Sequence, residues 1–292
     1  MSTIGFDIGG TNIAAGLIDD DGNLIRKQSY PFPTDKDFNK VLSVCSDLVA
    51  YLESGSSTPI DKIGVAVPGS IDSSNSIVLN AYNLGFDHTP LKAAMESLLH
   101  KHVYLINDAD AAILAEHRIG SLKGCSTAAM ITLGTGLGGA LIINRKLYRG
   151  GRNNGTEPGH MILHNGGRSC TCGNKGCAET YCSATRLAKD GKAYGWKTPK
   201  DVIDAAKDGD ENAVPIVNAY IDDIASYLAS LINLLDPERI AIGGGVSAAG
   251  EFLIAPIREI TNQRSFFHDP TDIVVATAGN DAGIYGAAFV VD

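Results

Sequence analysis

The chain has 292 residues, of which 44% are hydrophobic and 20% charged, and its formal net charge is -9. That length suits two domains, each burying its own core. The acidic balance excludes nucleic acid and anionic membrane as expected partners, because both call for a basic footprint, and leaves small molecules as the expected ligands.

Thr3 to Ile8 is short and apolar and contains Asp7. Gly9-Gly10-Thr11-Asn12 and a second apolar run, Ile13 to Ile18, follow it. This reads as strand, turn, strand. The acidic turn at 19–22 leads to a third strand over Asn23 to Tyr30. Phe38, Val41, Leu42, Cys45, Leu48, Val49 and Leu52 recur at helical spacing and predict an amphipathic helix ended by Gly55-Ser56-Ser57. Ile63 to Val67 reads as a buried strand running into Pro68-Gly69, and Thr89-Pro90 as the capped start of a helix. Val103 to Ile106 reads as a strand that delivers Asn107 and Asp108 at its carboxyl end.

Gly124 to Asn144 carries no charge and matches a membrane span in length, but its middle, L-G-T-G-L-G-G-A-L, is too rich in glycine for a stable helix. It reads instead as a strand at Ala128 to Leu133, a glycine turn, and a strand at Ala140 to Asn144. The device resembles the opening hairpin, so an internal duplication is expected. Further on, Ile216, Tyr220, Ile224, Leu228, Leu231 and Leu235 mark a long helix that stops before Asp236-Pro237. Arg239 to Ile242 reads as a strand leading through Gly243-Gly244-Gly245 into a helix from about Ser247. A last strand over Ile273 to Ala276 precedes a closing helix from Asp281 to Val290. No linker separates the halves. The reading places domains at 1–112 and 113–279, with a helix at about 280–292 returning to the first.

Three glycine loops follow apolar strands: D-I-G-G-T-N, L-G-T-G-L-G-G and I-G-G-G-V-S. Backbone N–H groups in such turns approach phosphate oxygens that a side chain would block, and Thr11 or Thr135 adds a hydroxyl. Simple hairpin turns are the alternative. The middle loop also matches G-x-G-x-x-G, but the dinucleotide fingerprint requires a helix directly after it, where a strand is expected here. Asp7 and Asp108, each beside a loop, suit either magnesium binding or proton acceptance, or else cap a turn.

Glu157 to Ser183 is the densest stretch chemically. Cys170, Cys172 and Cys177 have the spacing of a metal knuckle, and His160 lies close enough to supply a fourth ligand for tetrahedral zinc. A reducible disulfide is the alternative, but Cys170 and Cys172 are too close for an unstrained bridge. Six cysteines in all are too few for a disulfide scaffold, and with no basic leader ahead of Thr3 they point to a reducing, cytoplasmic setting. Glu157 and Glu179 flank the knuckle and suit a polyhydroxy ligand. The remaining histidines singled out, His88, His100, His102, His117 and His268, lack metal-like spacing, and Arg145, Lys146, Arg149 and Arg152 read as a solvated loop.

D-I-G-G-T-N, V-P-G, N-D-A-D-A-A, L-G-T-G-L-G-G, E-P-G-H-M, C-T-C-G-N-K-G-C-A-E and G-G-G-V-S fall in an order that resembles the ROK family of repressors and sugar kinases, over nearly the whole chain. The resemblance implies an α/β, actin-like (ribonuclease H-like) two-domain sugar kinase fold with ATP and Mg2+ in an interdomain cleft, structural Zn2+ and a homodimer. It implies Asp108 as catalytic base, and Asn107, Glu157, His160, Glu179, Gly69 and Asn83 as sugar contacts. Asp7, Gly9, Gly10, Thr11, Asn12, Gly134, Thr135, Gly136 and Gly138 correspond to its phosphate loops, and Gly244 and Gly245 to its nucleoside side. His160, Cys170, Cys172 and Cys177 correspond to its zinc ligands. Gly155-Thr156-Glu157 departs from the Ala-Gly-Glu of many relatives. The expected activity is phosphorylation of a hexose 6-hydroxyl by ATP, with glucose first and N-acetylmannosamine, allose and fructose as alternatives. A sugar-responsive repressor would carry a helix-turn-helix ahead of this module, whereas the first strand begins at Thr3.

Overall fold

The two apolar runs that open the chain form antiparallel strands β1 (Thr3–Ile8) and β2 (Asn12–Ile18), paired from Thr3 opposite Ile18 to Ile8 opposite Ile13. This arrangement belongs to a computed structural model that describes residues 2–56, 59–153 and 155–291; Ser57 and Asp292, which the sequence reading touched, lie outside them. The chain divides into two compact units, one of Met1–Lys123, Leu147–Thr156 and Ala278–Asp292, the other of Gly124–Lys146 and Glu157–Thr277. The first crossing therefore follows Lys123, beyond the end of the helix that spans position 112.

In the first unit β3 (Leu24–Pro31) continues the hairpin, and the sheet is completed by β4 (Lys62–Val67) and a strand at His102–Asn107, both parallel to β1. Helix α1 (Phe38–Glu53) starts at Asp37, whose side chain accepts from Lys40 N at 3.0 Å, and buries Val41, Cys45, Leu48, Val49 and Leu52. These positions follow the 3.6-residue period and join Ile4, Phe6, Ile8 and Ile13 in one core. Three short strands, β5 (Ser70–Ile71), β6 (Val78–Ala81) and β7 (Phe86–Thr89), form a separate antiparallel sheet that the sequence reading did not anticipate. Thr89 belongs to this sheet, paired with Val78, so it does not cap the next helix. That helix, α2, is Leu91–Leu99, with Pro90 at its N-cap and no side-chain cap bond. The strand at His102–Asn107, β8, leads directly into α3 (Asp108–Ile119).

The second unit repeats the plan. Strands β9 (Ala128–Leu133) and β10 (Leu137–Ile143) form an antiparallel hairpin, β11 (Lys146–Leu147) flanks it, and β12 and β13 at Arg239–Gly243 and Asp272–Val275 add in parallel. The sheet orders β3-β2-β1-β4-β8 and β11-β10-β9-β12-β13 correspond strand for strand, as a duplication requires. The uncharged stretch at 124–144 is thus a hairpin, and among the described residues no helix is long and apolar enough to cross a membrane. Helices α4 (Glu179–Cys182), α5 (Ala184–Gly191), α6 (Pro199–Lys207) and α7 (Ala213–Leu235) follow. α7 buries Tyr220, Ile224, Leu228 and Leu231 on the predicted stripe and ends at Asp236, whose φ of 43° is left-handed. The helix expected from Ser247 begins later: Gly245–Ala249 is a 3-10 turn, Gly250 breaks it with φ of 63°, and α8 runs over Glu251–Arg264.

The final helix, α9 (Ala282–Phe289), belongs to the first unit and packs on β1, β4 and α3. Glycines make this fit possible. A Cβ on Gly5 would lie 2.0 Å from the Ile284 carbonyl oxygen, and one on Gly64 1.6 Å from that of Ala287.

Candidate functional site

In the first unit, strand β8 ends in Asn107, whose extended backbone lets its side chain turn back over α3. Oδ1 accepts from Ala109 N at 2.8 Å and Asp110 N at 3.3 Å, capping the helix. Nδ2 donates to the Gly69 carbonyl at 2.9 Å. Gly69 itself has φ of 84°, and a Cβ there would meet the Asn80 carbonyl oxygen at 1.8 Å. The amide of Asn107 is therefore committed at both ends.

This frame fixes Asp108 as the first residue of α3, where a negative charge is favoured by the helix N-terminus. Its side chain is exposed, with Oδ1 accepting from Ala109 N at 2.9 Å. The bulk of protein around it raises the carboxyl above the ordinary carboxylate range, against the lowering effect of that bond. Asp7 is half-buried in β1, and its pKa rises from 3.8 to about 6, first through burial, then through the charge of Asp108, with Lys27 opposing and Asp281 adding. Lys27 pairs with Asp281. The start of α9 presses close, since a Cβ on Gly283 would lie 2.5 Å from Asp7 Oδ2. The Gly9–Asn12 turn is closed by Gly9 N donating to Asn12 O at 2.9 Å, and Gly10, Thr11 and Asn12 are exposed. Asn83 lies beside that turn, its Nδ2 3.4 Å from where a Gly10 Cβ would stand.

In the second unit the tip of the β9–β10 hairpin is Gly134-Thr135-Gly136, with Thr135 exposed; Gly138 lies within β10, opposite Thr132. Gly134 N donates to Gly136 O at 3.1 Å, and Ala184 N to Gly134 O at 2.9 Å. Gly244, with φ of 86°, crosses the base of the tip so closely that a Cβ would stand 2.5 Å from the Leu133 carbonyl oxygen; Gly245 opens the following turn.

His160, Cys170, Cys172 and Cys177 converge, their ligand atoms all within 4.8 Å of one another. Cys170 Sγ is 3.7 Å from His160 Nδ1, and Cys172 Sγ is 3.6 Å from Cys177 Sγ. Zn–S bonds of about 2.3 Å and Zn–N bonds of about 2.0–2.1 Å in a tetrahedron give edges of roughly 3.4–3.8 Å, so the donor set fits zinc. All six cysteines are free thiols. The loop that makes the cluster is tight: Ile162 bridges Cys177, Ser169 bridges Lys175, and Gly176, φ 87°, leaves no room for a Cβ beside the His164 carbonyl oxygen. His160 stands at the end of the turn Pro158–His160, which lies against β10 because Gly159 has no Cβ to meet the Leu137 carbonyl oxygen at 2.0 Å. Glu157 is exposed just ahead of that turn. Glu179 opens α4, with Oε1 3.8 Å from Cys170 Sγ and Oε2 accepting from Leu137 N at 3.2 Å.

Two features escaped the sequence. His164, whose Nε2 meets Asp223 Oδ1 at 2.6 Å and whose ring packs on Tyr181, braces the loop from behind. A largely apolar cavity of about 710 Å³ adjoins Thr135, lined by Ala184, Ala188, Trp196 and Pro199, with Lys189, Lys192 and Lys197 at hand. Its signal was weak: one tryptophan between helices and lysines that read as surface.

The sequence profile of the ROK family matches residues 3–292. A glucokinase of Thermotoga maritima is 32% identical over 310 residues, covering 100% of this chain and 97% of that protein. An N-acetylmannosamine kinase of Haemophilus influenzae is 31% identical over 293 residues, covering 99% and 95%. Among solved structures, a ROK family glucokinase from Streptomyces griseus in complex with glucose and AMPPNP has a TM-score of 0.85 and 32% identity, covering 100% of this chain and 99% of that one.

Proposed function

The chain belongs to the ROK family, with its actin-like two-domain fold, and on that footing we propose that it is an ATP-dependent hexokinase acting on the 6-hydroxyl of glucose. The observation that carries this reading is Asp108, an exposed carboxylate at a capped helix start whose affinity for a proton is raised by its surroundings. A base of that kind accepts a proton from a hydroxyl that has no other reason to lose it. Asp108 takes the proton of the 6-hydroxyl as that oxygen bonds to the γ-phosphorus; the bond from phosphorus to the β-γ bridging oxygen breaks, and ADP leaves. The likeness along the full chain to a glucokinase solved with glucose and an ATP analogue supports hexose and ATP as the substrate pair.

Asn107 sets the position of Asp108 through its cap, and Gly69 and Asn83 border the acceptor side of the first unit. Glu157, His160 and Glu179 supply acceptor and donor groups for sugar hydroxyls. With Nδ1 of His160 turned to the thiols, Nε2 is the nitrogen that faces a hydroxyl. The Gly9 to Asn12 turn and the Gly134 to Gly136 tip present N–H groups and threonine hydroxyls to phosphates. Gly244, Gly245 and the Trp196 cavity take the nucleoside, the cavity being of a size and polarity that suit a purine.

Asp7 would hold magnesium, since burial first and the nearby charge of Asp108 next raise its pKa, and a pair of neighbouring carboxylates suits a divalent cation. When bound, that ion neutralises phosphate charge. Zinc in the His160, Cys170, Cys172 and Cys177 cluster would order the loop that carries the sugar-facing groups. A homodimer is part of the same proposal on family grounds.

A coupled assay of ADP release with glucose, N-acetylmannosamine, allose and fructose tests the reading. Turnover highest with glucose is the expected result. The N-acetylmannosamine kinase likeness makes that sugar the second acceptor to try, and no turnover with any hexose would overturn the proposal.

A further inference from the structure

We propose that Glu179 couples hexose binding to nucleotide binding, one carboxylate oxygen receiving a sugar hydroxyl beside Cys170 and the other holding the phosphate hairpin in place; this rests on the kinase reading above. Oε2 accepts from Leu137 N at 3.2 Å, at the first residue of β10 and directly beyond the Gly134-Thr135-Gly136 tip. The approach is so close that a Cβ on Gly136 would lie 2.3 Å from that oxygen. Gly136 is a glycine here because a carboxylate occupies the space a side chain would take, in addition to any need for exposed N–H groups. Oε1 looks the other way, 3.8 Å from Cys170 Sγ, and Cys170 is 3.7 Å from His160 Nδ1.

The backbone beneath Glu179 is rigid. Thr180 N and Oγ1 both donate to Cys177 O, at 3.0 and 2.8 Å, Cys182 N donates to Ala178 O at 2.9 Å, and the buried hydroxyl of Tyr220 donates to Cys182 O at 2.7 Å. What remains free to move is the half-buried side chain. The far side of the tip is tied to α5 by Ala184 N on Gly134 O at 2.9 Å, so Glu179 is the side-chain contact that braces the tip at its β10 end. A hexose hydroxyl donating to Oε1 fixes the carboxylate in the rotamer that keeps Oε2 on Leu137 N. The ordering cost of the tip is then met before the nucleotide arrives, and nucleotide binds more tightly. By linkage the nucleotide raises hexose affinity by the same factor.

Calorimetry measures the dissociation constant of a non-hydrolysable ATP analogue with and without saturating glucose. For the parent protein we expect glucose to tighten the analogue by about 10-fold, within the usual range of coupling between sites. In Glu179→Ala the factor should fall to about 1. Gly136→Ala is the companion variant, displacing the carboxylate from Leu137 N without removing it. It should lose the coupling while still binding glucose, and it carries the test should the alanine variant at 179 bind glucose too weakly to saturate. Unchanged melting temperature and zinc content confirm that the variants are folded. Coupling preserved in either saturable variant, or absent from a parent that binds both ligands, overturns the inference alone. A parent that binds neither ligand overturns the kinase reading with it.

Discussion

Asn107 donates to the carbonyl of Gly69 at 2.9 Å while its own carbonyl oxygen caps α3. One side chain thus ties the Pro68-Gly69 turn to the helix that begins with Asp108. Asn107→Ala should lower stability by about 1–2 kcal/mol, the usual cost of losing an N-cap, together with a loss of turnover at unchanged nucleotide affinity. Asn107→Asp keeps the capping oxygen and should recover most of the stability without restoring the tie to Gly69. Urea denaturation midpoints of the three proteins decide it, and an alanine variant as stable as its parent would count against the cap.

Removal of the Asp108 carboxylate should act on chemistry and leave binding alone. Asp108→Ala is expected to reduce turnover by about 10²–10⁴-fold, the typical contribution of a general base, while the glucose dissociation constant by calorimetry stays within a few-fold. Near-normal turnover in the variant would remove Asp108 from the mechanism.

Asp7 gives stability a particular dependence on pH in magnesium-free buffer. Its folded pKa of about 6 lies above the ordinary 3.8, so folding favours the protonated form. The stability this brings is complete below the ordinary value and is lost as pH rises through about 6, a change on the order of 3 kcal/mol at most. Asp7→Asn should flatten this part of the profile, melting several degrees higher than the parent at pH 7.5 and losing turnover. Parallel melting profiles for the two proteins from pH 4 to 8 would refute the assignment.

The cluster of His160, Cys170, Cys172 and Cys177 should hold about one zinc per chain. Cys172→Ser, or dialysis against a strong chelator, is expected to release it, lower the melting temperature and raise the glucose concentration needed for half-maximal rate. Elemental analysis alongside the assay checks both. A metal-free protein with its sugar requirement unchanged would disconnect the cluster from the acceptor site.

Much of this was legible in the chain because hydrophobic period and glycine punctuation act locally. The β1–β2 and β9–β10 hairpins announce themselves as apolar runs around glycines, and α1 and α7 as stripes at 3.6-residue spacing. The knuckle is legible for a similar reason, since three thiols in eight residues have few other uses. The β5, β6 and β7 strands were not, because they are two to four residues long and carry Asn80 and Asp87, with no alternation to mark a face. Thr89-Pro90 looked like a helix start because a cap and a strand end use the same residue types.

The bond from Leu137 N to Glu179 was invisible for a different reason. It joins a side chain to a main-chain group that every residue possesses, so nothing in the identity of Leu137 signals it. Only Gly136 carries a trace, and there the need for space is indistinguishable, in sequence, from the need for a tight turn. The Trp196 cavity likewise depends on how α5 and α6 pack, which no single window contains.

The seat of α9 on Gly5 and Gly64 bears on how the chain is made. During synthesis β1, β4 and α3 leave the ribosome early, but the helix that fills their glycine-lined face is translated only after residues 157–277 have followed. The first unit therefore lacks the cover of one face until the last residues are made, whereas the segments of the second are complete by Thr277. A released chain truncated before Ala282 should accordingly protect the second unit from protease and leave the first open to it.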